Sequence, residues 1–173
     1  ALPILIEDYF GDGSKWGIQI RYLKEKKQTG TAGSLSLLPE IPSKPFIVMN
    51  ADLVTDLNFQ DLINFHLEYR SVATMCVKEY EFAVPYGVVG VNDGAIEKID
   101  EKPVHKFFVN AGVYVLDPKV LKFLSENKPL DMTDLFSKVI DGNQNTAAFP
   151  IHEYWLDIGS VDDYQHANGN IVR

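Results

Sequence analysis

Residues 46–56, FIVMNADLVTD, decide the fold class of this chain. The four consecutive apolar residues 46–49 are typical of a strand that is buried on both faces. The strand leads to an acid, Asp52, and a second acid, Asp56, follows four residues later. Ligands of open α/β sheets bind beyond the carboxyl ends of the strands. Asp52 is therefore either a turn residue between strand and helix or a charge available to a metal ion.

Outward from this stretch, apolar strands alternate with helices. Asn58, with Asp61 three residues later, predicts the start of a helix. The turn sequence Asn-Asp-Gly at 92–94 predicts a hairpin. The other predicted elements are a helix ending near residue 10, a strand over 18–23, a short helix after 29–34, strands over 46–49, 72–78 and 107–117, a helix over about 132–141, two late strands and a closing helix. Together they predict one α/β layered domain over residues 1–173 with a mixed sheet.

Composition narrows the function classes. The net charge is −8 and the basic residues are scattered, which argues against a nucleic-acid surface but permits a single nucleotide bound through a metal. The one cysteine, Cys76, rules out an internal disulfide and is expected to be a buried thiol. With no leader pattern and no membrane-length apolar run, we expect a soluble cytoplasmic protein.

A second acid repeats the pattern of Asp52. Asp157 in EYWLDIGS also follows an apolar strand and precedes a glycine turn. Two acids at two strand ends can share one hard cation, which suits Mg²⁺ with phosphates.

Three further motifs each permit two interpretations. The loop TGTAGS at 29–34 can bring backbone N–H groups and a flat base close together, or it is an ordinary helix start. DEKP at 100–103 offers Glu101 to sugar hydroxyls and Lys102 to a phosphate, or it is an exposed charged turn. NAG at 110–112 indicates either close approach of a ligand or a β-bulge, and the bulge is favoured.

Taken in order along the chain, these motifs resemble the sugar-phosphate nucleotidylyltransferases, the nucleoside-diphosphate-sugar pyrophosphorylases. The matching segments are IEDYFGDGSKWGIQIRYLKE, GTAGSL, FIVMNADL, VPYGVV, EKP, FFVNAGVYVLD and EYWLDIGS followed by DDY. The sequences of these segments are most similar to those of the mannose-1-phosphate guanylyltransferase-like branch. This similarity favours GTP as the nucleotide substrate. Members of that branch sometimes carry regulatory CBS domains on a longer chain.

The resemblance implies a fold and an activity. The fold is a three-layer α/β sandwich with a mixed sheet, similar to a Rossmann fold. The activity is nucleotidyl transfer from an NTP to a sugar 1-phosphate, which gives an NDP-sugar and pyrophosphate.

The resemblance also implies roles for individual residues. Asp52 and Asp157 would hold Mg²⁺ and, with Lys102 on the sugar phosphate, carry catalysis. The base pocket would be lined by Gly30, Thr31, Ala32 and Gly33. The sugar would be contacted by Gly87, Glu101 and Asn110, with Trp155 packed beside the site.

This chain departs from the family pattern in two places. Ala51 stands where the family usually has glycine before the metal-binding acid. The glycine-rich loop G-G-x-G-T-R and the P-K-P that follows it do not occur in the 173 residues. We therefore expect this chain to be the C-terminal major part of a nucleotidyltransferase domain whose first strand and loop lie upstream. On its own it should be inactive, and it should be unstable or self-associate through the exposed sheet.

Two alternatives remain open from the sequence. A regulatory nucleotidyltransferase-like module would bind sugar nucleotides without making them, which the missing loop and Ala51 favour. A glycosyltransferase using a nucleotide-sugar donor would be expected to carry Asp-x-Asp after the strand, whereas here Asp52 and Asp56 are four residues apart.

Overall fold

The computed structural model describes residues 2–126 and 128–170. The chain divides into two compact units. The first unit is Ala1–Ile41 with Leu121–Lys138, and the second is Pro42–Val120 with Val139–Arg173.

The first unit is built from short helices. Helix α1 ends at Phe10, as the sequence predicts, and Gly11 follows it with a φ of +55°. The helices and 3-10 turns that fall wholly or partly in this unit are α1 (Leu2–Phe10), a 3-10 helix (Ser14–Trp16), α2 (Gly30–Gly33), a second 3-10 helix (Ser34–Leu37), a third (Pro118–Phe123) and α4 (Met132–Asp141).

The prediction of a strand over residues 18–23 is wrong. In the described part of the chain these residues pair with no strand. Their start is held instead by the preceding turn, because Ile18 N donates to Gly13 O at 3.2 Å and Ile20 N donates to Asp12 O at 2.8 Å. An alternating pattern becomes a strand only where a neighbouring strand takes up its backbone groups.

The second unit contains a mixed four-stranded sheet in the order β1-β6-β3-β7. The pairs β1–β6 and β3–β6 are antiparallel, whereas β3–β7 is parallel. The mixed sheet predicted from the sequence is thus confirmed. The strands of this unit are β1 (Phe46–Met49), β2 (Leu53–Thr55), β3 (Ala73–Ala83), β4 (Val88–Asn92), β5 (Ala95–Asp100), β6 (Val104–Leu116), β7 (Thr146–Pro150) and β8 (Trp155–Asp157).

The core of this unit forms around β6. Its six residues 111–116 are all buried because β1 and β3 flank the strand. Helix α3 (Phe59–Glu68) begins where predicted, since Asn58 Oδ1 accepts hydrogen bonds from Gln60 N at 3.0 Å and Asp61 N at 3.3 Å. The core cluster consists of Leu57, Leu62, Cys76, Ala111, Val113, Val115 and Ile151.

Two smaller strand pairs complete the second unit. β4 and β5 form the predicted hairpin, and β2 pairs with β8 in antiparallel fashion. Helix α5 (Val161–Asn170) follows β8. β3 extends to Ala83 and β6 begins at Val104, beyond their predicted ends, because these outer halves pair with each other.

Two findings bear on compartment and membrane. Cys76 is a free thiol buried in the core, as predicted, and burial raises its pKa to about 12. Among the described residues we find no helix with the length and apolar character needed to traverse a bilayer.

Candidate functional site

The structure brings Asp52 and Asp157 to neighbouring backbone positions in the second unit. Asp157 is the last residue of β8 and lies opposite Leu53, the residue after Asp52. Ile158 N donates a hydrogen bond to Asp52 O at 2.8 Å, which ties the two segments together just beyond the strand pair. Both acids are exposed. The pairing expected from two distant motifs is therefore present in the backbone.

Next to this acid pair, β6 contains the bulge that NAG predicts. The register of β3 and β6 jumps from Met75 opposite Tyr114 to Val77 opposite Asn110. The three residues 111–113 therefore face a single residue of β3, Cys76, and we call these three residues the β6 bulge. Gly112 in the bulge has a φ of +71°, a backbone conformation that favours glycine.

The β6 bulge contacts both acid-bearing segments. Asn50 N donates to Gly112 O at 2.9 Å. Trp155 Nε1 donates to Ala111 O at 2.9 Å. A Cβ on Gly112 would lie 2.9 Å from Asn50 Nδ2 and 3.0 Å from Leu53 Cδ1, so only glycine fits between them.

Asn110 is held in one orientation at the start of the bulge. Gly112 N donates to Asn110 Oδ1 at 3.0 Å, and Asn110 Nδ2 donates to Tyr114 Oη at 2.7 Å. A backbone N–H can only donate, so the amide oxygen must face Gly112 and the amide nitrogen must face Tyr114. Burial raises the pKa of the Tyr114 phenol, so this hydroxyl stays protonated and neutral. Asn110 itself is exposed, and its amide presents a fixed polar edge to solvent.

A second group of predicted residues meets at the open end of the β4–β5 hairpin. Gly87 precedes Val88, which pairs with Asp100. A Cβ on Gly87 would lie 3.0 Å from Glu101 Oε2, so the structure brings Gly87 and Glu101 together. Lys102 follows in the turn before β6, with a φ of +47° and an exposed side chain.

The small-residue loop lies in the first unit and packs on residues 130–132. Gly30 has a φ of +76°, and a Cβ there would lie 2.6 Å from Asp131 Oδ1 and 2.7 Å from Leu130 O. The close approach predicted for this loop therefore occurs with the chain's own backbone.

The N–H groups of this loop are used inside the unit. Thr31 N donates to Asp131 Oδ1 at 3.2 Å, and the N–H groups of Ala32 and Gly33 both donate to Leu130 O at 3.0 Å. In return Thr31 Oγ1 accepts a hydrogen bond from Met132 N at 2.8 Å, at the start of α4. Of the four predicted base-pocket residues, Gly30 and Thr31 are exposed, whereas Ala32 and Gly33 are buried.

A cavity of about 300 Å³ lies beside this loop, and sequence reasoning missed its polar lining. Thr29, directly before Gly30, is buried, and its hydroxyl donates a hydrogen bond to Glu25 Oε1. The available signal was the charged run KEKK at 24–27, which ends two residues before Thr29. The lining residues are Glu25, Lys26, Lys27, Thr29 and Leu37.

The donor set of the acid pair fits a hard cation that takes its other ligands from a substrate. No cluster of three or more His, Cys, Asp or Glu side chains suited to a metal occurs among the described residues. Mg²⁺ is commonly bound through one or two carboxylates together with substrate phosphates and water, so it does not require such a cluster.

Comparison with solved structures defines the class of fold. HddC from Yersinia pseudotuberculosis superposes with a TM-score of 0.70 at 22% identity, covering 96% of this chain and 73% of that chain. Its structure in complex with GMP-PN gives a TM-score of 0.65 at 21% identity, covering 95% of this chain and 74% of that one. The chain therefore has the mixed α/β fold of the nucleotide-diphospho-sugar transferases.

The family follows from the sequence comparison. The family model described as nucleotidyl transferase matches residues 2–173. This chain belongs to that nucleotidyl transferase family.

Curated relatives are about one-third identical to this chain over the aligned residues. A UTP–glucose-1-phosphate uridylyltransferase from Synechocystis is 32% identical, over 94% of this chain and 47% of that protein. A mannose-1-phosphate guanylyltransferase catalytic subunit beta from Drosophila pseudoobscura pseudoobscura is 32% identical, over 88% of this chain and 43% of that protein. The chain thus spans less than half the length of these relatives.

Proposed function

We propose that the protein containing this chain transfers a nucleotidyl group from an NTP to a sugar 1-phosphate, releasing pyrophosphate and an NDP-sugar. The observation that carries the proposal is the pair of exposed acids, Asp52 and Asp157, set side by side by β2 and β8. In this reaction an oxygen of the sugar phosphate attacks the α-phosphorus of the NTP, and pyrophosphate leaves with the electrons of the broken P–O bond. Such a transfer depends on positioning and charge neutralisation more than on covalent catalysis.

In this proposal Asp52 and Asp157 hold Mg²⁺. The bound ion would neutralise phosphate charge during the transfer. Lys102 supplies a point charge to the sugar phosphate from its exposed turn. In our proposal Trp155, whose indole N–H donates a hydrogen bond to Ala111 O, packs beside the site.

The sugar is bound in our proposal by Glu101 and Asn110, with Gly87 leaving room for it. The Glu101 carboxylate accepts hydrogen bonds from sugar hydroxyls, and a side chain at position 87 would crowd that carboxylate. The Asn110 amide is already oriented by Gly112 and Tyr114, so little rotamer entropy is lost when it binds a hydroxyl.

The base is bound beside the loop Gly30–Gly33, and we favour guanine. Glu25 lines the adjacent cavity, and a carboxylate can only accept hydrogen bonds. Guanine presents two neighbouring donors, N1–H and the N2 amino group, to such an acceptor. Uracil and thymine present one N–H between two carbonyl oxygens, and the partial negative charges of those oxygens are repelled by a carboxylate. Replacement of Glu25 by glutamine should therefore reduce the preference for GTP over UTP.

The cellular setting is also a proposal. We place the protein in the cytoplasm because Cys76, the one cysteine in these 173 residues, is a buried free thiol rather than part of a disulfide. In our proposal the protein forms a homo-oligomer, and, as in some members of the mannose-1-phosphate guanylyltransferase-like branch, the longer gene product carries CBS domains. Fractionation of the native host and size-exclusion chromatography of the full gene product test these expectations.

The experiment that tests the proposal measures pyrophosphate release by the full product of the gene that encodes this chain. Each of the four NTPs is paired with glucose 1-phosphate and with mannose 1-phosphate in the presence of Mg²⁺. We expect release with at least one pair, and the highest kcat/KM with GTP and mannose 1-phosphate. Tight nucleotide-sugar binding with no release from any pair would favour the regulatory module. Transfer of sugar from an NDP-sugar to an acceptor would favour a glycosyltransferase.

A further inference from the structure

The β6 bulge holds both acid-bearing segments through two consecutive carbonyl groups. Gly112 O accepts from the backbone N–H of Asn50, two residues before Asp52. Ala111 O accepts from the indole N–H of Trp155, two residues before Asp157. The positions of these two adjacent carbonyls therefore influence how the two acid-bearing segments lie relative to each other.

The bulge is closed by side chains at its two ends. Asn110 precedes the bulge and Tyr114 follows it, and the 2.7 Å hydrogen bond between their side chains spans the bulge. Asn110 also accepts a hydrogen bond from Gly112 N at 3.0 Å, inside the bulge. Tyr114 is only 2% exposed, so core packing fixes its ring and with it the position of the hydroxyl.

We propose that the β6 bulge sets the separation of the Asp52 and Asp157 carboxylates, and that Tyr114 is the positioning residue that holds the bulge in shape. Tyr114 acts through Asn110 and the two bulge carbonyls, without touching substrate or metal. The importance of the carboxylate separation rests on the proposed function, in which both acids bind one cation. The other part of the proposal, that Tyr114 restrains Asn50 and Trp155, does not depend on the proposed function and is argued only from the hydrogen bonds.

The test compares Tyr114→Phe with the wild-type protein in two measurements. The substitution removes the hydroxyl and keeps the ring in the core. Hydrogen exchange by NMR reports the Trp155 indole N–H and the Asn50 backbone N–H, and both should exchange several-fold faster in the variant. Electron paramagnetic resonance with Mn²⁺ and GTP reports the cation affinity, which should fall about tenfold, the scale for losing an outer-shell partner of a metal site.

A matched control separates positioning from loss of stability. Thr74→Val removes a buried side-chain hydrogen bond elsewhere in the unit, the 2.8 Å contact between Thr74 Oγ1 in β3 and His66 Nδ1 in α3. It should lower the unfolding midpoint and leave Mn²⁺ affinity unchanged. Asn110→Ala removes the Tyr114 hydrogen bond from the exposed side, and it replaces Tyr114→Phe if that variant does not fold.

The exchange and Mn²⁺-binding results together decide the proposal. Faster exchange together with weaker Mn²⁺ binding supports it. Unchanged exchange at Asn50 and Trp155 overturns it, whatever the metal does. If Tyr114→Phe exchanges faster but keeps its Mn²⁺ affinity, while Asp52→Asn lowers that affinity, the role in carboxylate separation is overturned. The same role is overturned if Thr74→Val weakens Mn²⁺ binding as much as Tyr114→Phe does. If the wild-type protein binds no Mn²⁺ with GTP, the metal site of the proposed function fails, and the separation role fails with it.

Discussion

Replacing Gly112 with alanine should destabilise the second unit by more than backbone strain alone explains. Gly112 has a φ of +71°, and a non-glycine residue in the left-handed region costs about 1–2 kcal/mol. The new methyl group would also lie 2.9 Å from Asn50 Nδ2 and 3.0 Å from Leu53 Cδ1. Forced repacking of that kind costs roughly 1–3 kcal/mol. We expect a total loss of about 2–5 kcal/mol in the free energy of unfolding.

Two control glycines isolate the steric part of this cost. Gly94 lies in the same unit with a φ of +83°, and Gly17 has the same φ of +71° as Gly112. A Cβ on either glycine would have nothing within 4 Å, so Gly94→Ala and Gly17→Ala report backbone strain alone.

Urea denaturation followed by circular dichroism compares the three variants. The reasoning predicts that Gly112→Ala costs about 1–3 kcal/mol more than either control. Equal losses in all three would show that Asn50 and Leu53 are not packed tightly against the bulge. That result would refute the contacts on which the site geometry depends.

Three further predictions follow from particular contacts. Burial lowers the pKa of His66 below its ordinary 6.5, so the unfolded chain binds the proton more readily, and the stability that the neutral imidazole contributes above about pH 6.5 should be lost as the pH falls further. In urea denaturation at several pH values, His66→Gln should flatten this dependence of the free energy of unfolding on pH, and an unchanged pH dependence would contradict the reasoning. Because burial raises the pKa of Cys76 to about 12, a thiol reagent at about pH 8 should label the unfolded chain and spare the folded one, and rapid labelling of the folded chain would count against burial. Gly87→Ala should raise the KM for the sugar 1-phosphate several-fold, whereas Gly90→Ala, whose Cβ would lie 3.5 Å from Lys98 Cβ, should leave it unchanged; equal effects in steady-state kinetics would contradict the proposed sugar contact.

Local sequence signals predicted the elements whose causes are local. Asn58 caps α3 through its own side chain, and Asn-Asp-Gly at 92–94 turns the β4–β5 hairpin. NAG predicted a bulge because a glycine inside an apolar strand is costly unless its backbone is needed. In each case the deciding contacts lie within a few residues of the signal.

Features that depend on distant partners could not be predicted. The segment 18–23 has a strand pattern, but in the described chain it finds no strand to pair with. The loop amides of Ala32 and Gly33 bond to Leu130 O, about a hundred residues away, which no local pattern indicates. The attachment of Trp155 to Ala111 O is similarly non-local. The acids and the bulge were indicated by the sequence, whereas the hydrogen bonds that join the bulge to the two acid-bearing segments required the structure.

The most direct test of the central claim measures transfer of label from α-phosphate-labelled GTP to mannose 1-phosphate by the full gene product and three single variants. Asp52→Ala and Asp157→Ala should each lower the rate about 10²-fold or more, the scale for losing an electrostatic stabiliser of the transferring group. Asp56→Ala removes another exposed acid, four residues from Asp52, and should retain near-normal transfer. Near-normal transfer by Asp52→Ala or Asp157→Ala, or equal losses in all three variants, would contradict the assignment of the acid pair.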